Sequence, residues 1–251
     1  IAQLKSNKAH ISIIRSGKEY SEIYGNKSFD TIQAPPIRIH YLAFNMRKSP
    51  FNRLEAREAV AHMINKKVLV AHTLAKMGNN ATTPVPPQIQ GFNPEIRDHE
   101  FNIRKASRLL KKAGITPGLK TYLYYVTGSL EMEEIANRLI RIGRKIGLTI
   151  KKVKLPFSKL REQLDKGKHH MTMMGWVGEL PDADSYLYPT FTMESGNSNR
   201  AFYHKPELTS LLTMARESIE PTVRATHYRR AQRIIKRDMP WIPLYYLHNL
   251  F

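Results

Sequence analysis

The chain has 251 residues, of which 41% are hydrophobic and 24% are charged, and it contains no cysteine. This length can bury a sizeable core, and the composition excludes a disordered chain, a disulfide framework, thiolate chemistry and a long apolar membrane span. The 40 Lys and Arg residues exceed the 21 Asp and Glu residues, so the net charge is +19 and a polyanionic partner must be considered.

Hydrophobic periodicity predicts strands and helices in mixed order along the chain. The strands are predicted at residues 37–45, 119–126, 149–155, 169–175 and 241–246. The helices are predicted at residues 53–65, 67–74, 103–113, 131–146, 158–166, 206–218 and 222–237. A proline-rich stretch at residues 79–93 reads as a surface loop, either a simple connection or part of a binding site.

Two strand, helix, strand units follow one another in the middle of the chain. The strand at 119–126, the helix at 131–146 and the strand at 149–155 form the first, and the helix at 158–166 leads to the strand at 169–175. Such units favour parallel pairing, so the predicted fold is α/β, with a mixed, mainly parallel sheet flanked by helices. Ligands of such sheets bind beyond the carboxyl ends of the strands, which places Gly175 and the residues after it in a cleft.

Motifs of catalysis are missing from the sequence. It contains no GxSxG, HExxH or GxGxxG motif and no glycine-rich phosphate loop, so we expect neither an enzyme nor a cofactor. His169 and His170 are adjacent on a predicted strand, where their side chains point to opposite faces and are poorly placed to share a metal. Asp182 and Asp184 can form an acid and base pair, or they can cap a turn or helix.

The segment at residues 171–191 combines an apolar strand with Gly-Trp-Val-Gly-Glu at its end. Trp176 and Glu179 would then offer an apolar wall and a carboxylate among flexible residues. This pair suits an ammonium group, through a charge-assisted hydrogen bond and attraction to the ring. The alternative is a buried core tryptophan beside a solvated glutamate.

Four stretches in order resemble a known family. They are YLAFNMRKSPFNRLEAREAVAHMINKKVLV, PVPPQIQGFNPEIRDHEFNIRKASRLLKKAGI, MMGWVGELPDADSYLYPTF, and AFYHKPELTSLL with YRRAQRIIKRDMPWIPLYY. As an ordered set they resemble the extracellular solute-binding proteins of the dipeptide and oligopeptide class, called family 5. Full members of that family are about twice as long as this chain.

The resemblance implies a periplasmic-binding-protein-like lobe of a receptor that closes over a short peptide. Residues 1–33 would be a remnant of the first lobe and the hinge approach, residues 34–247 the second lobe, and residues 248–251 the return hinge. The implied partners are a short peptide ligand, a membrane ABC transporter permease and the N-terminal lobe of the same protein, with no specific nucleic acid. A monomer in the periplasm, or anchored outside the cell membrane, is expected.

The resemblance also implies a ligand site. In peptide-binding relatives an Asp three residues after the Trp pairs with the ligand amine, and here that position is Glu179. Relatives that bind dipeptides carry an Arg for the ligand carboxylate in the loop after the strand at 119–126, where this chain has Thr-Gly-Ser. Selectivity for dipeptides is therefore open. The candidate ligand-binding residues are Trp176, Glu179, Met174, Gly175, Gly178, Asp182, Thr127 and Gly128.

Two alternatives remain at this stage. The same fold serves relatives that take haem, nickel complexes, glutathione or cationic antimicrobial peptides, and a high positive charge argues mildly against a cationic cargo. A basic module that binds polyanions is the other alternative. Its Lys and Arg residues are spread over nearly every predicted helix instead of forming one stripe interleaved with aromatic residues.

Overall fold

The computed structural model describes residues 1–14, 17–23, 25–74, 77–116, 118–194 and 196–250. Phe251, the last residue of the predicted return hinge, lies outside the described residues. The strands are β1 (Gln33–Phe44), β2 (Gly78–Asn80), β3 (Lys120–Val126), β4 (Thr149–Leu155), β5 (Met171–Val177) and β6 (Trp241–Leu250). The helices are α1 (Ala2–Lys5), α2 (Gly17–Ile23), α3 (Leu54–His62), α4 (Lys66–Val68), α5 (Ile103–Lys112), α6 (Leu130–Lys145), α7 (Phe157–Asp165), α8 (Asp184–Phe191), α9 (Pro206–Glu217) and α10 (Pro221–Asp238).

The described strands form one mixed sheet in the order β2-β6-β1-β5-β3-β4. β3 pairs in parallel with β4 and with β5, whereas β1 pairs antiparallel with β5 and β6, and β2 pairs antiparallel with β6. The α/β class and both predicted crossovers are confirmed. The sheet is mixed, as predicted, but it is not mainly parallel: parallel pairing is confined to the half that the crossovers build, because β1 and β6 enter the sheet from distant parts of the chain.

Both faces of the sheet are covered by helices. Along β1, Leu42 and Phe44 join a core formed with α3, α5 and α6, whereas Ile39, Tyr41 and Ala43 join a second core formed with α8, α9 and α10. This division follows the two-residue period of a strand, whose successive side chains point to opposite faces. A strand buried on both faces is therefore apolar at nearly every position, as β1 is from Tyr41 to Phe44.

Among the departures from the sequence-based expectations are two helices. The predicted helix at 67–74 is instead the short α4 followed by a π-helical turn at Leu69–Thr73. The helix α8 was not predicted, because its sequence DSYLYPTF is rich in aromatic residues and contains Pro189. Burial of Tyr186, Leu187 and Phe191 against the second core overrides the poor helix propensity of this segment.

Candidate functional site

A groove of about 580 Å³ opens at the carboxyl ends of β3 and β5. β3 and β5 pair only at Leu123↔Met171 and Tyr124↔Thr172 and separate beyond those residues, although β3 continues to Val126 and β5 to Val177. The groove lies in the resulting gap, where a parallel sheet is expected to bind its ligand. Its described lining residues are Arg38, His40, Tyr41, Val126, Ser129, Met132, Phe157, Arg161, Met173, Met174, Gly175, Trp176, Val177, Ser198 and Arg200.

One edge of β5 faces this groove without a strand beside it. Residues 171–177 all pair with β1 on the opposite edge, from Phe44↔Met171 to Arg38↔Val177. On the groove side, pairing among the described strands ends at Thr172. We call residues 173–177 on this side the open edge of β5. An edge of this kind can hydrogen-bond the backbone of an extended peptide.

Trp176 is held in place by a hydrogen bond to a backbone carbonyl of α8. Pro189 lacks a backbone N–H, so it cannot donate to the carbonyl of Ser185 four residues earlier. The indole Nε1 of Trp176 donates to that carbonyl instead, at 2.8 Å. Trp176 also packs against the second core, and it remains partly exposed at the groove. The side chain is therefore both a structural residue and a rigid part of the groove wall.

The predicted site residues Gly178, Glu179 and Asp182, which follow β5, have different surroundings. Gly178 packs against Tyr186, since a Cβ atom at Gly178 would lie only 2.4 Å from the Tyr186 ring. Asp182 accepts a hydrogen bond from the Asp184 backbone N–H at 2.8 Å and forms an ion pair with Arg224 at 3.0 Å. Glu179 is exposed, and neither Glu179 nor Asp182 is among the described lining residues.

Of the predicted site residues, the groove brings together Met174, Gly175 and Trp176. Thr127 and Gly128 are exposed in the turn after β3, between the lining residues Val126 and Ser129. Gly128 has a φ of +89°, a conformation that glycine adopts readily. Ser129 caps α6 by accepting a hydrogen bond from the Met132 backbone N–H at 3.2 Å, so this turn is fixed where it meets the groove.

His40 is a half-buried polar residue of the groove, with both ring nitrogens shielded from solvent, that the sequence interpretation missed. Its ring stacks on Tyr245 with a centroid distance of 4.6 Å, and it also faces Gly175, where an added Cβ atom would lie 3.2 Å from the ring. Neither ring nitrogen has a hydrogen-bond partner among the described residues. Burial, and then the charge of Arg38, lowers the pKa of His40 to about 3, so the ring is neutral near pH 7.

Three arginines give the groove its charge. Arg200 is buried and forms an ion pair with Asp165, but Arg38 and Arg161 are exposed and neither has an ion-pair partner among the described residues. No Asp or Glu belongs to the described lining. The electrostatic character of the groove is therefore positive. No local motif marks these residues, since Arg38 and His40 lie on β1 whereas Arg161 lies on α7.

The described residues show neither a metal site nor a membrane-spanning helix. Among the described residues, no group of three or more His, Cys, Asp or Glu side chains could hold a metal ion. His169 is buried, and its Nε2 atom pairs with the Arg200 carbonyl at 2.8 Å. No helix within the described ranges has the length and apolar character needed to cross a membrane.

Comparison with known proteins identifies a family. The model for "Bacterial extracellular solute-binding proteins, family 5 Middle" matches residues 1–198. The chain is 26% identical over 248 residues to heme-binding protein A of Haemophilus influenzae, covering 97% of this chain and 45% of that protein. It is 24% identical over 246 residues to the dipeptide-binding protein of Escherichia coli, covering 95% of this chain and 46% of that protein.

Solved structures agree with this result. The periplasmic binding protein DppA from Helicobacter pylori, in complex with the peptide STSA, superposes with a TM-score of 0.91 at 24% identity, covering 99% of this chain and 49% of that one. The HbpA2 structure from Haemophilus parasuis gives a TM-score of 0.88 at 23% identity, with 99% and 50% covered. These likenesses establish the fold. The chain spans about half the length of the relatives it matches.

Proposed function

Because the chain belongs to family 5 of the bacterial extracellular solute-binding proteins, we propose that it supplies one lobe of a receptor that binds short peptides for an ABC import system. Binding and release of a peptide require shape, hydrogen bonds and charge, and no nucleophile or general base. The proposed partners are the peptide, the transporter permease and the N-terminal lobe of the same protein. The proposed location is the periplasm or the outer face of the cell membrane.

The proposal assigns the parts of the chain as follows. Residues 34–247 form the second lobe, residues 1–33 the end of the first lobe with the hinge approach, and residues 248–251 the return hinge. The long strands β1 and β6 support this division. They lie side by side and antiparallel in the middle of the sheet, so the start of β1 and the end of β6 leave the lobe on the same side.

The open edge of β5 is the observation that carries the proposal. An extended peptide placed along residues 173–177 would continue the sheet, with its backbone bonded to β5 and its side chains pointing alternately into and out of the groove. Such binding depends on the peptide backbone, and it accepts many side-chain sequences. A wall formed by Trp176 would contact one side of the ligand.

Glu179 is proposed to bind the ligand amine. It lies two residues beyond the end of β5, and its carboxylate is exposed. A ligand amine that approaches the carboxyl end of β5 would therefore meet a negative charge close to Trp176. A charge-assisted hydrogen bond of this kind contributes about 1.5–3 kcal/mol.

Calorimetry on the full-length protein tests the peptide function. We expect binding of tri- to pentapeptides with free termini, and weaker binding of the same peptides after N-methylation of the backbone amides that face β5. Mass spectrometry of material that copurifies with the protein should find short peptides. If no peptide binds and a different compound copurifies, the proposal is wrong.

A variant tests the amine assignment separately. Glu179→Gln should weaken the binding of a peptide with a free amine about tenfold or more, because the carboxylate charge is lost. It should leave the binding of an N-acetylated peptide unchanged. Glu217→Gln, at an exposed carboxylate at the end of α9, is the matched control. Equal loss for free and acetylated peptides would reject a role for Glu179 in amine binding.

A further inference from the structure

A second cavity, of about 200 Å³, lies between α6 and the segments that follow α3 and precede α5. We call it the apolar pocket. Its described lining and that of the groove have no residue in common. Apart from one asparagine and two arginines, the described lining is apolar, and it consists of Met63, Ile64, Asn65, Val68, Leu69, Phe101, Ile135, Arg138, Leu139, Arg141 and Ile142. An apolar ligand placed there would remove this surface from water, which is favourable.

The apolar pocket is a gap in the packing of the core formed with α3, α5 and α6. Ile135, Leu139 and Ile142 lie on one face of α6, because residues three and four apart share a helix face. Phe101, which precedes α5, lines the same gap and remains exposed. The π-helical turn Leu69–Thr73 begins at the gap, and this rare backbone form occurs frequently at functional sites.

The charged residues of this lining are both arginines. Arg138 pairs with Glu134 at 2.5 Å, whereas Arg141 is exposed and has no ion-pair partner among the described residues. No Asp or Glu belongs to the described lining of the apolar pocket. A carboxylate beside Arg141 would therefore meet an available guanidinium, and a cation would meet only a like charge.

Neighbouring helices strengthen this preference for an anion. α5 packs against α3 and contains no acidic residue. The exposed basic residues of α5 and of the last turn of α6 are Arg104, Lys105, Arg108, Lys111, Lys112, Arg144 and Lys145. A surface of one sign raises the local concentration of ligands with the opposite charge.

We propose that the apolar pocket binds a free medium-chain fatty acid, with the alkyl chain along Leu139 and the carboxylate at Arg141. The volume sets the length of the chain. An apolar cavity of about 150 Å³ accommodates the six carbons of benzene, so the present one suits a chain of about eight carbons. This site would be separate from the groove, and the inference does not depend on the peptide function.

Calorimetry on the full-length protein measures the chain and the head of the ligand separately. From hexanoate to octanoate, we expect the affinity to rise about fourfold with each added methylene, because each one removes more apolar surface from water. The gain should end once the chain exceeds the pocket. Octan-1-ol, which lacks the charge, should bind about threefold more weakly than octanoate, as expected for an exposed ion pair.

Variants locate the binding. Val68 is a half-buried lining residue, so Val68→Phe can fill the pocket and should weaken octanoate and octan-1-ol alike, about tenfold or more. Arg141→Gln lies at the surface and should bring the ratio of the two affinities close to one, while the affinity for octan-1-ol stays unchanged. Arg144→Gln, at an exposed arginine of α6 outside the lining, is the matched control and should keep the ratio.

Several outcomes would overturn the inference. Failure of octanoate to bind the full-length protein, or an affinity that ignores both Val68→Phe and Arg141→Gln, shows that no fatty acid occupies this pocket. Cosedimentation with phosphatidylglycerol vesicles that both variants abolish, without octanoate binding, assigns the pocket to a membrane lipid. A dimer that Val68→Phe dissociates assigns it to a second copy of the chain. Each of these results leaves the peptide function intact.

Discussion

Arg57 is the residue whose loss should most clearly disturb the lobe. It is buried on α3, and its guanidinium donates to three backbone carbonyls, those of Phe51 at 2.7 Å, Asp238 at 2.6 Å and Met239 at 3.1 Å. Met239 ends α10 in a left-handed conformation with φ +49°, so two of these bonds satisfy carbonyls at a helix end. One side chain thus connects α3, the loop before it and the end of α10.

The cost of removing these bonds follows from their number and burial. Arg57→Met keeps most of the apolar stem and removes every donor, so three buried carbonyls lose their partners. Each hydrogen bond to a charged group contributes about 1.5–3 kcal/mol, but the variant also no longer buries a charge. Each buried carbonyl left without a partner costs about 1–3 kcal/mol, and the relief of the buried charge offsets part of the sum, so the net loss should be about 3–5 kcal/mol. A lysine can replace only part of the fork, so Arg57→Lys should lose about half as much.

Thermal unfolding of the full-length protein without ligand measures the effect. A loss of this size should lower the unfolding midpoint of the lobe by about 6–20 °C, at roughly 2–4 °C per kcal/mol for a domain of this length. Arg104→Met, which removes an exposed arginine of α5, is the control and should leave the midpoint unchanged. A midpoint for Arg57→Met within about 2 °C of the control would show that these three bonds contribute little.

Three smaller changes have defined outcomes. Burial lowers the pKa of His169 from 6.5 to about 4, so the unfolded chain binds more protons between those values and stability falls as pH falls through that window. Urea unfolding at pH 7 and pH 5 should show this loss, and His169→Gln should reduce it. Gly178→Ala should lower the free energy of unfolding, measured in urea, by about 1–3 kcal/mol, because its Cβ would lie 2.4 Å from Tyr186. Asn102→Ala should lower the free energy of unfolding by about 1 kcal/mol in the same assay, because the Asn102 side chain caps α5 by accepting a hydrogen bond from the Lys105 backbone N–H at 2.9 Å.

The regular elements were predictable wherever burial imposes a period on the sequence. β4 has the predicted bounds, α5 differs from the predicted helix by one residue at one end, and α6 and α10 differ by one residue at each end. α8 was missed because its stability comes from contacts with the second core and not from its own residues. The strand predicted at 169–175 is displaced to Met171–Val177, and His169 before it is buried with a contact to the Arg200 carbonyl that no local pattern reveals.

The candidate site was partly predictable for the same reason. Met174, Gly175 and Trp176 follow one another at the end of a predicted strand, so their place at the rim of the sheet follows from the topology. The partner of the Trp176 indole depended on Pro189, whose missing N–H frees the Ser185 carbonyl. That consequence could have been drawn only from a helix that the sequence did not indicate.

By itself, the sequence determined the α/β class, the two crossovers and the apolar strand that leads to Trp176, because each depends on periodicity within one stretch of chain. Tertiary structure decided the chemistry of the groove. Arg38 and Arg161 are far apart along the chain, and both line the groove because β1 is inserted beside β5 while β3 and β5 part. Local sequence patterns do not predict such strand pairing, since the hydrogen bonds that create it join residues far apart in sequence.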